Sequence, residues 1–196
     1  MIYETLQILK EQIEAYFTEV GLGKIVILEN IALWESGSDK ATNVEDKVVM
    51  TLLKLEEEST LKNTPNYKVL EGQTTYKNPP VNLNMFLLIS ANCDTYDKSL
   101  RSISRVIQFF QGKKVFNSSN TVYNRTNVSL DVLDYFKFII ELYTPGFEEL
   151  NHVWGTMGGR QLPSVIYKVQ IVQIERDKKL ATSGVITHVS GELNNK

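Results

Sequence analysis

Two adjacent prolines followed by an unbroken apolar run constrain the fold of this chain more than any other feature. Pro79 and Pro80 exclude a helix at this point, because proline lacks a backbone N–H and is confined to strand entries or extended positions. The run from Leu83 to Ala91, LNMFLLISA, follows them directly. It is too short to span a bilayer and has the length of a strand. We therefore predict a buried strand from Leu83 to Ala91.

An amphipathic helix is predicted immediately after this strand. Asp94 or Thr95 is suited to be its N-cap, and Gly112 lies near its end. The apolar residues between them recur at helical spacing along one face. They are Tyr96, Leu100, Ile103, Val106, Ile107 and Phe110.

The first third of the chain predicts one helix and two strands. Apolar residues at spacings of three and four indicate an amphipathic helix over residues 2–20, and Gly21 and Gly23 follow it as stop signals. Residues 24–34 and 47–57 are rich in β-branched and aliphatic side chains, with a polar loop between them. We expect these two strands to form a hairpin.

The last third predicts strand, helix and strand. Residues 134–144 and 164–176 have strand composition, and the intervening segment has apolar residues on one helical face from Pro145 onward. Gly158 and Gly159 are predicted to end that helix. The apolar residues expected to dock it are Phe147, Leu150, Val153, Trp154 and Met157.

This order of elements favours an α+β fold in one domain. Consecutive strands without an intervening helix pair antiparallel most readily, so we predict a mainly antiparallel or mixed sheet packed against about three helices. The domain is expected to span residues 1–176, and residues 177–196 are expected to form a C-terminal arm.

Composition excludes several classes of function. The net charge is −2, from 21 basic and 23 acidic residues, whereas a nucleic-acid-binding protein needs excess Lys and Arg. The first residues resemble neither a signal peptide nor a transit peptide, and no apolar run is long enough to cross a membrane. The single cysteine, Cys93, cannot form an internal disulfide. We expect no nucleic acid and no membrane among the partners, and production in the cytoplasm.

No motif in the sequence predicts a reaction centre, a metal site or a cofactor. GTMGGR at 155–160 lacks the lysine and hydroxyl residue of a phosphate-binding loop, and its glycines end a helix instead of beginning one. His152 and His188 are the only histidines, and neither has a second ligand at metal-binding spacing. Cys93 is interpreted as structural, although pairing with a histidine would make a nucleophile. The carboxylates of Glu56, Glu57 and Glu58 alternate along a strand, so they do not form an acid–base pair.

Aromatic residues near position 150 leave two interpretations open. Phe147 and Trp154, beside Tyr143, either pack in the core or form an exposed anchor for a partner, because tryptophan is enriched at interface hot spots. The tail segment GVITHVS at 184–190 is short and β-prone. The residues proposed for an interface are Phe147, His152, Trp154, Arg160, Val185, Ile186 and His188.

Three segments together resemble a known family. They are MIYETLQILKEQIEAYF at the start, residues 78–116 beginning NPPVNLN, and residues 143–176 with the ELxxxWGTMGG-like pattern. This combination is similar to the tail-terminator (cap) proteins of extracellular contractile injection systems, the particles related to the antifeeding prophage and the Photorhabdus virulence cassette. The resemblance covers residues 1–176.

The resemblance implies a structural role without catalysis. It implies a tail-terminator-like fold and a hexameric ring on the distal end of the inner tube and contractile sheath. The implied partners are the inner tube protein, the sheath protein and further copies of the chain, and a second cap protein remains open. Assembly would occur in the bacterial cytoplasm, after which the protein would be part of a phage tail-like particle. The alternatives are a sheath or baseplate adaptor and a small enzyme.

For the arm, residues 177–196, two possibilities remain open. A polar, β-prone segment buries too little apolar surface to order itself but can add a strand to an exposed sheet edge. We expect an arm that is mobile in the free protein and pairs with an adjacent ring subunit or with the sheath. The alternative is a loose chain end with no role.

Overall fold

The computed structural model describes residues 1–35, 41–61, 65, 67–70, 73–124, 135–174 and 179–184. Within these ranges the chain forms three α-helices, which are α1 (Ile2–Glu19), α2 (Tyr96–Gly112) and α3 (Phe147–Thr156). The strands there are β1 (Val26–Leu28), β2 (Lys47–Glu57), β3 (Tyr67–Leu70), β4 (Gln73–Lys77), β5 (Val81–Asn92), β6 (Val115–Asn117), β7 (Lys137–Tyr143), β8 (Ser164–Ile174) and β9 (Lys179–Gly184).

A six-stranded sheet in the order β1-β2-β5-β8-β7-β6 forms the centre of the molecule. Every neighbouring pair in it is antiparallel except β1 and β2, which are parallel. The strand predicted at 83–91 is β5, and it lies inside the sheet between β2 and β8. The predicted α+β fold with a mainly antiparallel, mixed sheet and three helices is confirmed.

The larger core lies between one face of this sheet and helices α1 and α2. Most of the apolar stripe of α1 is buried there, and Phe110 of α2 packs against Tyr167 of β8 with the rings tilted at 53° and their centroids 4.6 Å apart. Burial raises the pKa of Tyr167 to about 12, because the phenolate would lose its hydration. The fully buried residues of α1 are Ile8, Leu9, Ile13 and Phe17.

A smaller core covers part of the opposite face. Trp154 of α3 packs there with Val49, Leu88 and Ile166 from the three central strands, and with Ile31 from a short 3-10 turn. Gly158 and Gly159 follow α3 with φ of 109° and 88°, and the Gly159 N–H donates to the Trp154 carbonyl at 2.8 Å. These are left-handed conformations that favour glycine, so the predicted end of the helix is confirmed.

The predicted packing of Phe147 is wrong. Phe147 is 94% exposed at the first residue of α3, whereas Trp154 is 4% exposed. Leu150 and Val153 are partly buried against the smaller core together with Trp154, whereas Phe147 is the first residue of this ten-residue helix, and side chains of a helix tilt toward its N-terminus, away from that contact.

The predicted hairpin of residues 24–34 and 47–57 is also wrong. Only Val26–Leu28 of the first segment is a strand, and it pairs parallel to β2. Residues Ile31–Glu35 form a 3-10 turn instead, in which the Asn30 side chain accepts a hydrogen bond from the Ala32 N–H at 3.1 Å. Residues 29–46 return the chain to the beginning of β2, and a connection of this length permits a parallel pair that a tight turn cannot make.

A second sheet, absent from the sequence-based prediction, contains β3, β4 and β9 in the order β3-β4-β9. It continues the central strands, because β4 leads into β5, β8 leads into β9, and β4 pairs with β9 antiparallel. Residues 179–184 of the expected arm are therefore paired within the chain. Residues 185–196 lie outside the described part of the structure, and the division into 1–176 and 177–196 stays a prediction.

The turn after β2 is fixed by Glu58. Its carboxylate accepts hydrogen bonds from the Thr60 hydroxyl at 2.6 Å, the Thr60 N–H at 3.1 Å and the Asn84 side-chain amide at 2.7 Å. The hydrogen bonds from Thr60 and then from Asn84 lower the pKa of Glu58 to about 2. This carboxylate therefore ties the end of β2 to β5.

The different positions of Trp154 and Phe147 predict different effects on stability. Trp154→Ala should lower the free energy of unfolding by about 3–5 kcal/mol, because it leaves a cavity between α3 and the sheet. Phe147→Ala should change it by less than about 0.5 kcal/mol, because the side chain is exposed. Urea denaturation followed by circular dichroism measures both, and equal losses would contradict the packing described above.

The lowered pKa of Glu58 leads us to expect a specific dependence of the stability of the fold on pH. Because folding lowers the pKa of Glu58, its ionised carboxylate stabilises the folded state when the pH is above the ordinary carboxyl pKa. This contribution is lost as the pH falls toward about 2. Glu58→Gln should therefore lower the urea midpoint near neutral pH, and the difference from wild type should shrink between about pH 4.5 and about pH 2. Glu45→Gln, at an exposed carboxylate on another turn, is the matched control. A difference for Glu58→Gln that stays constant across this range would refute the prediction.

Candidate interaction surfaces

An apolar groove of about 710 Å³ runs along α2 at the end of the sheet where β7 finishes and β8 begins. One wall is the outer side of α2, and the other is the β7–α3 connection with the segment that leads into β8. The large apolar side chains exposed in it are Tyr96, Leu100, Ile107 and Leu142.

The groove exists because the apolar stripe of α2 is wider than its contact with the sheet. The sequence predicts one docked face, but only Ile103, Val106 and Phe110 of that face are buried. The N-cap prediction is confirmed for Thr95, whose hydroxyl accepts from the Lys98 N–H at 3.3 Å. Because Ile103, Val106 and Phe110 face the sheet, the remaining apolar residues of the stripe line the groove. They are Tyr96, Leu100 and Ile107.

Carboxylates lie at the α3 side of the groove. Glu148 and Glu149 occupy the first turn of α3, between Pro145 and Leu150, both of which line the groove. The Tyr143 hydroxyl donates to Glu149 at 3.3 Å, and the nearby negative charge of Glu149 raises the pKa of Tyr143. This side of the groove is therefore acidic.

The second sheet carries another exposed apolar surface. Tyr67 and Tyr76 are opposite each other on β3 and β4, with ring centroids 6.3 Å apart, and Val69 lies two residues from Tyr67 on the same face. Tyr67 is 49% exposed and Val69 is 53% exposed. Sequence reasoning missed this surface, since YKVL and QTTYK are too short and too polar to stand out as strands.

A third exposed region, on the face of the main sheet opposite α1 and α2, is polar. Lys54 and Lys168 each place their ammonium group 5.9 Å from the centre of the Phe86 ring. The Gln170 amide donates to Glu141 at 2.8 Å on the neighbouring strand. Charged side chains and hydrogen-bonded amides of this kind are stable in contact with water. This face is therefore a weaker candidate for binding another protein than the two apolar surfaces.

The residues that the sequence suggested for an interface differ in their exposure in the structure. Phe147, His152 and Arg160 are exposed, whereas Trp154 belongs to the smaller core. Trp154 therefore packs within the fold instead of anchoring a partner. Val185, Ile186 and His188 lie outside the described residues, so their proposed role stays a prediction.

Cys93 lies at the end of β5 beside the start of α2. Its N–H donates to the Ser99 hydroxyl at 3.2 Å, and its sulfur lies 3.8 Å from the Ser102 hydroxyl oxygen. Over the described ranges, no three residues among His, Cys, Asp and Glu come together as metal ligands would. Within the same ranges, no helix is long and apolar enough to cross a membrane.

Two solved structures share this fold. The chain is similar over 100% of its length to a structure titled a sheath/tube terminator of the extracellular contractile injection system PVC in its extended state, with a TM-score of 0.64 and 14% identity. It is similar over 96% of its length to the tube-terminating cap of the anti-feeding prophage, with a TM-score of 0.62 and 14% identity. The chain covers 64% and 60% of those two chains, less than two thirds of either.

At this identity the structural matches show a shared fold. No curated protein matches the sequence. A family model described as the Pvc16 N-terminal domain matches residues 4–188, and the chain therefore belongs to the Pvc16 N-terminal domain family.

Proposed function

We propose that this protein is a structural cap that ends the inner tube and the contractile sheath of a contractile injection system. The observation that carries the proposal is the fold, which is similar across 96% or more of this chain to two proteins that terminate such particles. Membership of the Pvc16 N-terminal domain family supports the same role.

The surfaces of the molecule fit a role in assembly. The described lining of the large groove is mostly apolar and contains no histidine, cysteine, lysine or carboxylate that would serve as an acid, a base or a nucleophile. An exposed apolar groove and an exposed apolar sheet face are features of proteins that bind other proteins. The proposal therefore assigns no catalytic residue, metal or cofactor, and no contact with nucleic acid or membrane.

In this proposal six copies form a closed ring. The partners are the inner tube protein and the sheath protein, and a second cap protein would share the particle end if one exists. Assembly takes place in the bacterial cytoplasm, and the protein then becomes part of the particle. Phe147, His152 and Arg160 are exposed on and after α3, and we assign them to contacts with these partners.

Deleting the gene for this protein tests the proposed role. Without a cap, nothing ends polymerisation at the distal end, so the particles should have a broad distribution of tube and sheath lengths. Electron microscopy of purified particles measures the lengths, and restoring the wild-type gene is the control. Particles of normal length with unaltered distal ends would contradict a cap function.

Locating the protein on the particle separates a cap from a baseplate adaptor. A short epitope tag with bound antibody should label the end of the particle opposite the baseplate in electron micrographs. Label at the baseplate would identify an adaptor instead.

A further inference from the structure

We draw no further inference here: the strongest candidate, the apolar groove between α2 and the β7–α3 connection, is an exposed apolar surface, and nothing in the structure shows what covers it.

Discussion

The antiparallel pairing of β5 with β8 is the interaction on which the rest of this structure depends. Over part of their length both strands are buried on two faces: Leu87 and Tyr167 point into the larger core, and Leu88 and Ile166 into the smaller one. Helices α1 and α2 cover one side of this pair, and α3 covers part of the other. Because strands with apolar residues on both faces need cover on both, the positions of all three helices follow from this central pair.

The same strand pair sets the distance between the two exposed apolar surfaces. The groove forms where β8 begins, and the second sheet continues from the end where β8 finishes and β5 begins.

The apolar stripe of helix α2 is only partly buried. Its inner residues, Val106 and Phe110, complete the larger core, and Phe110 contacts Tyr167 directly. Tyr96 and Leu100 lie outside that contact and line the groove. The apolar stripe of α2 is therefore wider than the part of it that the sheet covers.

The sequence by itself determined the elements with strong periodicity. The prolines before β5, the stripe of α2 and the glycine stop after α3 each follow from local chemistry, namely the missing N–H of proline, the 3.6-residue repeat and the left-handed backbone of glycine. The search for catalytic and metal-binding motifs also used local information, because such motifs are defined by the spacing of residues along the chain. The resemblance to cap proteins supplied the proposed role.

Only the tertiary structure decided which apolar residues are covered. Phe147 and Trp154 occupy the same predicted stripe, but Trp154 is buried, with Leu150 and Val153 packed against the same core, whereas Phe147 at the first residue of α3 is exposed. The parallel direction of β1 and the pairing of β4 with β9 are long-range, so their partners lie too far along the chain for local propensity to specify. Periodicity identifies an apolar face, but burial depends on what packs against it, and that is settled only when the distant strands have met.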